Sequence, residues 1–135
     1  MKAVADCNTY ISGLLFKGPP SEFLRLAQLG KIQLYISTPI LDEIVGVLCR
    51  EKFGLAHSEI ARLKRIIERT AWKIEPKAGV DAVRADPTDN RVIECALECR
   101  ADLMVSGDKH LLKLKSYVGI PIMSVRQFLE RGHER

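Results

Sequence analysis

The sequence predicts an α/β protein: a parallel sheet with helices on both faces, arranged as a three-layer sandwich. Three observations carry this expectation. Short apolar runs alternate along the chain with segments of helical periodicity, the pattern left by successive strand–helix units. Glycines, prolines and capping residues fall at the joints between those segments. The length of 135 residues suffices for one domain with a substantial core, so a single domain over residues 1–135 is expected.

The elements follow in order. Residues 2–5 form an apolar run closed by Asp6, a short buried strand. Gly18-Pro19-Pro20 interrupts the chain, and Ser21 to Leu29 reads as a helix with Phe23, Leu24, Leu26 and Ala27 on its apolar face. Gly30 takes the position just past its end. Ile32, Leu34 and Ile36 alternate as a second strand. Thr38 caps the next helix, Pro39 fits its first position, and it runs to about Phe53 before Gly54. A further helix spans Ser58 to about Thr70, and a third strand Trp72 to Glu75, closed by Pro76. Lys77 to Ala85 has weak periodicity and reads as a loop. Asp86-Pro87 opens a helix to about Arg100, Leu103 to Ser106 is the fourth strand, and a short helix covers about Lys109 to Leu114. Ile120 to Met123 is a fifth strand whose Pro121 marks an edge. Ser124 with Gln127 forms a capping box for the last helix. No internal repeat, low-complexity tract or linker interrupts this order.

Composition narrows the function classes. Hydrophobic residues make up 47% and charged residues 28%, as in ordinary soluble globular domains. No apolar stretch approaches the roughly 20 residues of a membrane span, and the N-terminus enters a strand with no signal-peptide pattern, so a cytoplasmic, non-membrane protein is expected. The four cysteines lack CxxC spacing. Cys95 and Cys99 share a helix face, but no second pair completes a soft-metal site, and reduced thiols packed in a core are expected. A net charge of +4 and a pI near 9.0 point to a polyanionic partner.

Against that basic background, four acids stand at the edges of elements: Asp6 after the first strand, Glu43 in the second turn of a helix, Asp89 at a helix start, and Asp108 after the fourth strand as Ser106-Gly107-Asp108. Carboxylates at the carboxyl ends of parallel strands point into the crevice where such folds bind ligands. Four together repel one another unless a cation joins them, and hard divalent cations suit an all-oxygen donor set. Each acid also has a plainer reading. Asp6 can cap local amides, with Asn8 two residues on serving either role. Glu43 can be a solvated helix residue, although Ile40, Ile44 and Val47 flank it; Asp42 points elsewhere. Asp86 reads as the helix cap, with Asp89 two residues after Pro87 free to act as both dipole partner and ligand. Ser106 can bond a ligand, a metal-held water or a neighbouring amide.

These segments resemble the PIN-domain nucleases, especially the VapC-like toxins of toxin–antitoxin pairs, over roughly residues 2–130. The resemblance rests on Val4-Ala5-Asp6-Cys7-Asn8, Leu41-Asp42-Glu43, Asp86-Pro87-Thr88-Asp89-Asn90 and Val105-Ser106-Gly107-Asp108-Lys109, with Gly18-Pro19-Pro20 and Lys52-Phe53-Gly54-Leu55 in support. It implies a five-stranded parallel sheet of order 3-2-1-4-5, with Mg²⁺ or Mn²⁺ held by Asp6, Glu43, Asp89 and Asp108 as catalytic ligands. Asn8, Asn90 and Ser106 would support them. Cys7 departs from the family's usual threonine, exchanging a hydroxyl for a weaker hydrogen-bonding thiol.

The implied chemistry is hydrolysis of RNA phosphodiester bonds by a metal-activated water, leaving a 5′-phosphate and a 3′-hydroxyl. Lys109 and Lys113, with His110, adjoin Asp108 and are candidates to grip the RNA. Arg62, Arg65 and Arg69 recur at helical spacing and read either as a solvated face or as a second basic surface. The few aromatics argue against an extensive stacking platform. His57, His110 and His133 form no acid–base pair. A phosphatase of the haloacid dehalogenase type needs a second aspartate where Asn8 stands, and a non-catalytic PIN-fold binding module is the remaining alternative. The resemblance further implies a small antitoxin partner and a homodimer.

Overall fold

The computed structural model describes residues 1–77, 79 and 89–132. It contains a six-stranded sheet in the order β3-β2-β1-β4-β6-β5. The strands are β1 (Lys2–Ala5), β2 (Gln33–Ser37), β3 (Ala71–Ile74), β4 (Leu103–Val105), β5 (Ser116–Tyr117) and β6 (Ile120–Met123). All pairings are parallel except β5 with β6. The five parallel strands reproduce the expected order, since β6 is the strand anticipated fifth. The sixth, β5, is a two-residue antiparallel addition, too short to leave a periodic signal. It also moves the edge: Pro121 stands opposite Ser116 inside the sheet, while β5 lies outermost. Pro121 is tolerated because β6 meets β4 only from Ile122 onward.

Among the described residues, seven α-helices flank the sheet: α1 (Cys7–Leu15), α2 (Pro19–Gln28), α3 (Thr38–Leu48), α4 (His57–Thr70), α5 (Asp89–Cys99), α6 (Lys109–Leu114) and α7 (Val125–Gly132). Of these, α1 was not anticipated. It follows β1 with no intervening turn, because Asp6 ends the strand in extended conformation and at once caps the helix through Thr9 N. Helix α2 begins at Pro19, earlier than expected, and ends as expected: Gly30 adopts φ +76°, and the amides of Gly30 and Lys31 bond the carbonyls of Ala27 and Leu26. The cap of α3 is Ser37, whose Oγ accepts from Ile40 N, rather than Thr38, whose hydroxyl bonds Glu75. That helix stops at Leu48, and a separate 3₁₀ turn spans Glu51–Phe53. Ser124 and Gln127 close the anticipated capping box before α7. The proposed cap at Asp86, Pro87 beside it, most of the 77–85 loop and His133 lie outside the described residues.

The core runs the length of the sheet. Ala3, Val4, Ala5, Met104 and Val105 have no solvent contact, and Ile44, Leu48, Ile93 and Leu111 seal them from the helices. Burying each large aliphatic side chain stabilises the fold by about 1.5–3 kcal/mol. Phe23 and Phe128 meet edge to face at 5.3 Å, tying α2 to α7. Lys2 Nζ reaches the Cys99 carbonyl at the end of α5, and lies over the Tyr35 ring at 5.6 Å. No helix among the described residues is long and apolar enough to cross a membrane.

Candidate active site

The carboxyl ends of β1 and β4 lie side by side. Asp6 N–H bonds the Val105 carbonyl at 3.1 Å, extending the ladder one residue past β1. The Asp6 side chain, 4% exposed, then takes four hydrogen bonds. Oδ1 accepts from Thr9 N at 2.9 Å and Thr9 Oγ1 at 2.6 Å; Oδ2 accepts from Ser106 Oγ at 2.5 Å and Gly107 N at 3.3 Å. Burying a carboxylate demands such pairing. Ser106, fully buried, is the link between two acids: its hydroxyl donates to Asp6 and accepts from Asp108 N at 2.9 Å. Both plainer readings, Asp6 as a cap and Ser106 as an amide partner, are therefore realised in the geometry.

Asp108 caps α6, its Oδ1 accepting from His110 N at 2.8 Å and Leu111 N at 3.2 Å. Burial pushes its pKa up, but a hydrogen bond shared with the Asp89 carboxyl, together with those two amides, outweighs burial and brings it below the usual carboxylate value. Asp89 opens α5 and is 5% exposed. Glu43, half-buried in the second turn of α3, receives the Cys7 thiol as a hydrogen-bond partner. Burial and the neighbouring Glu43 charge both push that thiol far above its ordinary value, so Cys7 stays protonated.

All four acids line one small cavity of about 40 Å³, together with Cys7, Asn8, Ile40 and Val92. That volume accommodates little more than an ion with a water or two. A much larger hollow of about 850 Å³ lies at the opposite end of the strands, beside the amino ends of β1 and β4 and between α2 and α7, walled by residues such as Leu26, Leu29, Ile32 and Phe128. No cluster of acids converges there, so size does not mark the chemistry in this molecule. Of the remaining anticipated residues, Asn90 is buried in the first turn of α5, while Lys109 and Lys113 are exposed on α6; none of the three lines the small cavity.

The donor set fits a hard divalent cation, being carboxylate oxygen throughout. Among the described residues, however, no group of three His, Cys, Asp or Glu side chains stands at metal-holding distances as they lie. The hydrogen bonds explain why. Asp6 has turned both oxygens to protein donors, and two carboxyls in hydrogen-bond contact, Asp89 and Asp108, need a proton between them that a cation would replace. Admission of an ion thus requires small side-chain rotations.

Sequence reasoning overlooked Thr9, which holds Asp6 with two bonds; the Asp-x-x-Thr spacing at a helix start is the signal that could have revealed it. It also overlooked Glu94, a buried acid one turn beyond Asp89 whose Oε1 lies 2.9 Å from Arg91 Nε. No curated protein matches the chain. A family model does: the PIN domain, a fold that generally carries metal-dependent nuclease activity, matches residues 2–110. With that match spanning β1 to the start of α6, and an α/β sheet to accompany it, the chain belongs to the PIN domain family.

Proposed function

We propose that the chain is a Mg²⁺- or Mn²⁺-dependent endoribonuclease, acting as the toxin of a toxin–antitoxin pair. The observation that carries this reading is the shared cavity of Asp6, Glu43, Asp89 and Asp108, four carboxylates from four separate elements. A divalent cation supplies, when bound, a lowered pKa for water and positive charge against the phosphoryl oxygens. The chain's own residues do the positioning. Ser106 and Thr9 fix the rotamer of Asp6, Ser106 also fixes the backbone of Asp108, and the Cys7 thiol orients Glu43. Asn8, exposed at the rim of the cavity, is available to a phosphate oxygen. Lys109 and Lys113 draw the RNA backbone toward Asp108. The products are a 5′-phosphate and a 3′-hydroxyl.

One observation favours a second reading, a PIN-fold module that binds RNA or protein without cutting. Asp6 already accepts four hydrogen bonds, which satisfies it without an ion. Incubating purified protein with labelled single-stranded and hairpin RNAs and Mn²⁺ or Mg²⁺, beside EDTA and Asp6→Asn controls, decides between the two. Metal-dependent cutting that disappears in Asp6→Asn supports the nuclease. RNA binding with no cutting, and no calorimetric signal for Mn²⁺, supports the module. Co-expression with the product of the neighbouring reading frame tests the antitoxin: growth arrest relieved by that partner is the expected result.

A further inference from the structure

We propose that edge strand β3 and the outer face of α4 form a docking strip for single-stranded RNA, with Trp72 as the base-stacking residue. The inference rests on the ribonuclease reading and adds the surface along which substrate approaches. Trp72 is the chain's single tryptophan and is 66% exposed, on the outermost strand of the sheet. A lone exposed apolar side chain selects no partner by itself.

The surroundings select the cover. From His57 to Lys77 the chain carries six Lys or Arg residues against three Glu, a surplus of +3 out of the whole chain's +4. Arg62, Lys64, Arg65, Arg69 and Lys73 are all exposed, and among the described residues none makes an ion pair. Two of the three acids are engaged locally, Glu59 by the Ala56 amide and Glu75 by the Thr38 hydroxyl. A polyanion complements such a surface, whereas a second copy of the chain would set like charges together, and Lys73 on the edge strand opposes strand-to-strand pairing. Stacking suits single-stranded nucleic acid, because every base offers a flat face to an indole.

The strip is also in reach of the acids. Trp72 stands in register with Tyr35, and Tyr35 with Val4, two residues before Asp6. Strand spacing and rise put the Trp72 and Asp6 backbones on the order of 12 Å apart, within the span of a few nucleotides.

Because there is one tryptophan, its fluorescence reads the site directly. Titrating the full chain in EDTA with a short oligouridylate should quench the emission saturably, with affinity that falls as salt rises. Trp72→Ala should weaken binding of fluorescein-labelled oligouridylate, followed by anisotropy, by about tenfold. Arg65→Glu should weaken it as well, while Trp72→Phe should retain most of the affinity. Metal-dependent hydrolysis of bis(p-nitrophenyl) phosphate, too small to reach the strip, should be the same in Trp72→Ala as in the parent. Absence of quenching, or unchanged RNA affinity in Trp72→Ala, overturns the docking strip even if the small ester is cut, and leaves the nuclease reading standing. Quenching without hydrolysis of either substrate supports the strip and removes the nuclease instead. A concentration-dependent blue shift without RNA would mean that a second copy covers Trp72, and also overturns it.

Discussion

Removing the Ser106 hydroxyl takes from the buried Asp6 carboxylate one of its four hydrogen bonds and from the part-buried Asp108 amide its side-chain acceptor. Ser106→Ala should therefore cost about 1–3 kcal/mol of stability, seen as a lower melting temperature in metal-free buffer. It should also weaken Mn²⁺ binding by about 10–100-fold, the usual effect of losing a residue that orients a ligand, measured by calorimetry. A Ser106 that merely packed would change the first quantity and spare the second. The cysteines invite a different measurement. Burial pushes the thiols of Cys7 and Cys95 far up and that of Cys99 to about 11, whereas Cys49 is exposed. Iodoacetamide at neutral pH should label the native chain once, at Cys49, and all four cysteines after unfolding, as intact mass will show. The single departure from the family's usual residue beside Asp6 thus behaves as an inert hydrogen-bond donor, which the sequence alone could not reveal, because it does not state that Glu43 sits opposite.

Helix α1 ties the site to α2 through one glycine. A Cβ at Gly13 would fall 2.6 Å from Leu24 Cδ1 and 2.8 Å from the Pro20 carbonyl, and the latter, being backbone, cannot yield. Gly13→Ala should destabilise by about 1–3 kcal/mol through overpacking, despite alanine's better helix propensity; an equilibrium urea titration with an unchanged m-value would check it. Elements with a clear signal at one end or both were legible in the sequence: α2 from the Gly18-Pro19-Pro20 break to Gly30, although it starts at Pro19 rather than Ser21, α4 within one residue of the expected start at Ser58, and α7 behind the Ser124–Gln127 box. Those without it were not. Helix α1 shares its only cap with the end of β1, and β5 is two residues long. The far end of α3 was misjudged because hydrophobic residues continue to Phe53 and Leu55 after the helix itself has ended at Leu48. The four acids were legible because their charge contradicts their neighbours, as carboxylates beside buried strands and apolar helix faces. Thr9 was not, since a threonine in a helix contradicts nothing.

At the scale of the molecule, the four acids that line one cavity are the ligand set of the proposed cation. Mn²⁺ should accordingly raise the melting temperature in proportion to the logarithm of its concentration, by about 2.7 kcal/mol of stability at a hundredfold excess over Kd, and EDTA should reverse it. Asp6→Asn should melt independently of Mn²⁺; a shift equal to that of the parent would remove Asp6 from the ligand set. The ladder between β1 and β4 joins segments far apart in the chain. Asp6 and Ser106 are 100 positions apart, yet each holds the other. A chain still being translated therefore carries its first acid long before the strand that orients it has left the ribosome. On the nuclease reading the acids are held together only once β4 has docked on β1, so a nascent chain that has not yet reached Ser106 would lack a working site and would spare the message from which it is being read.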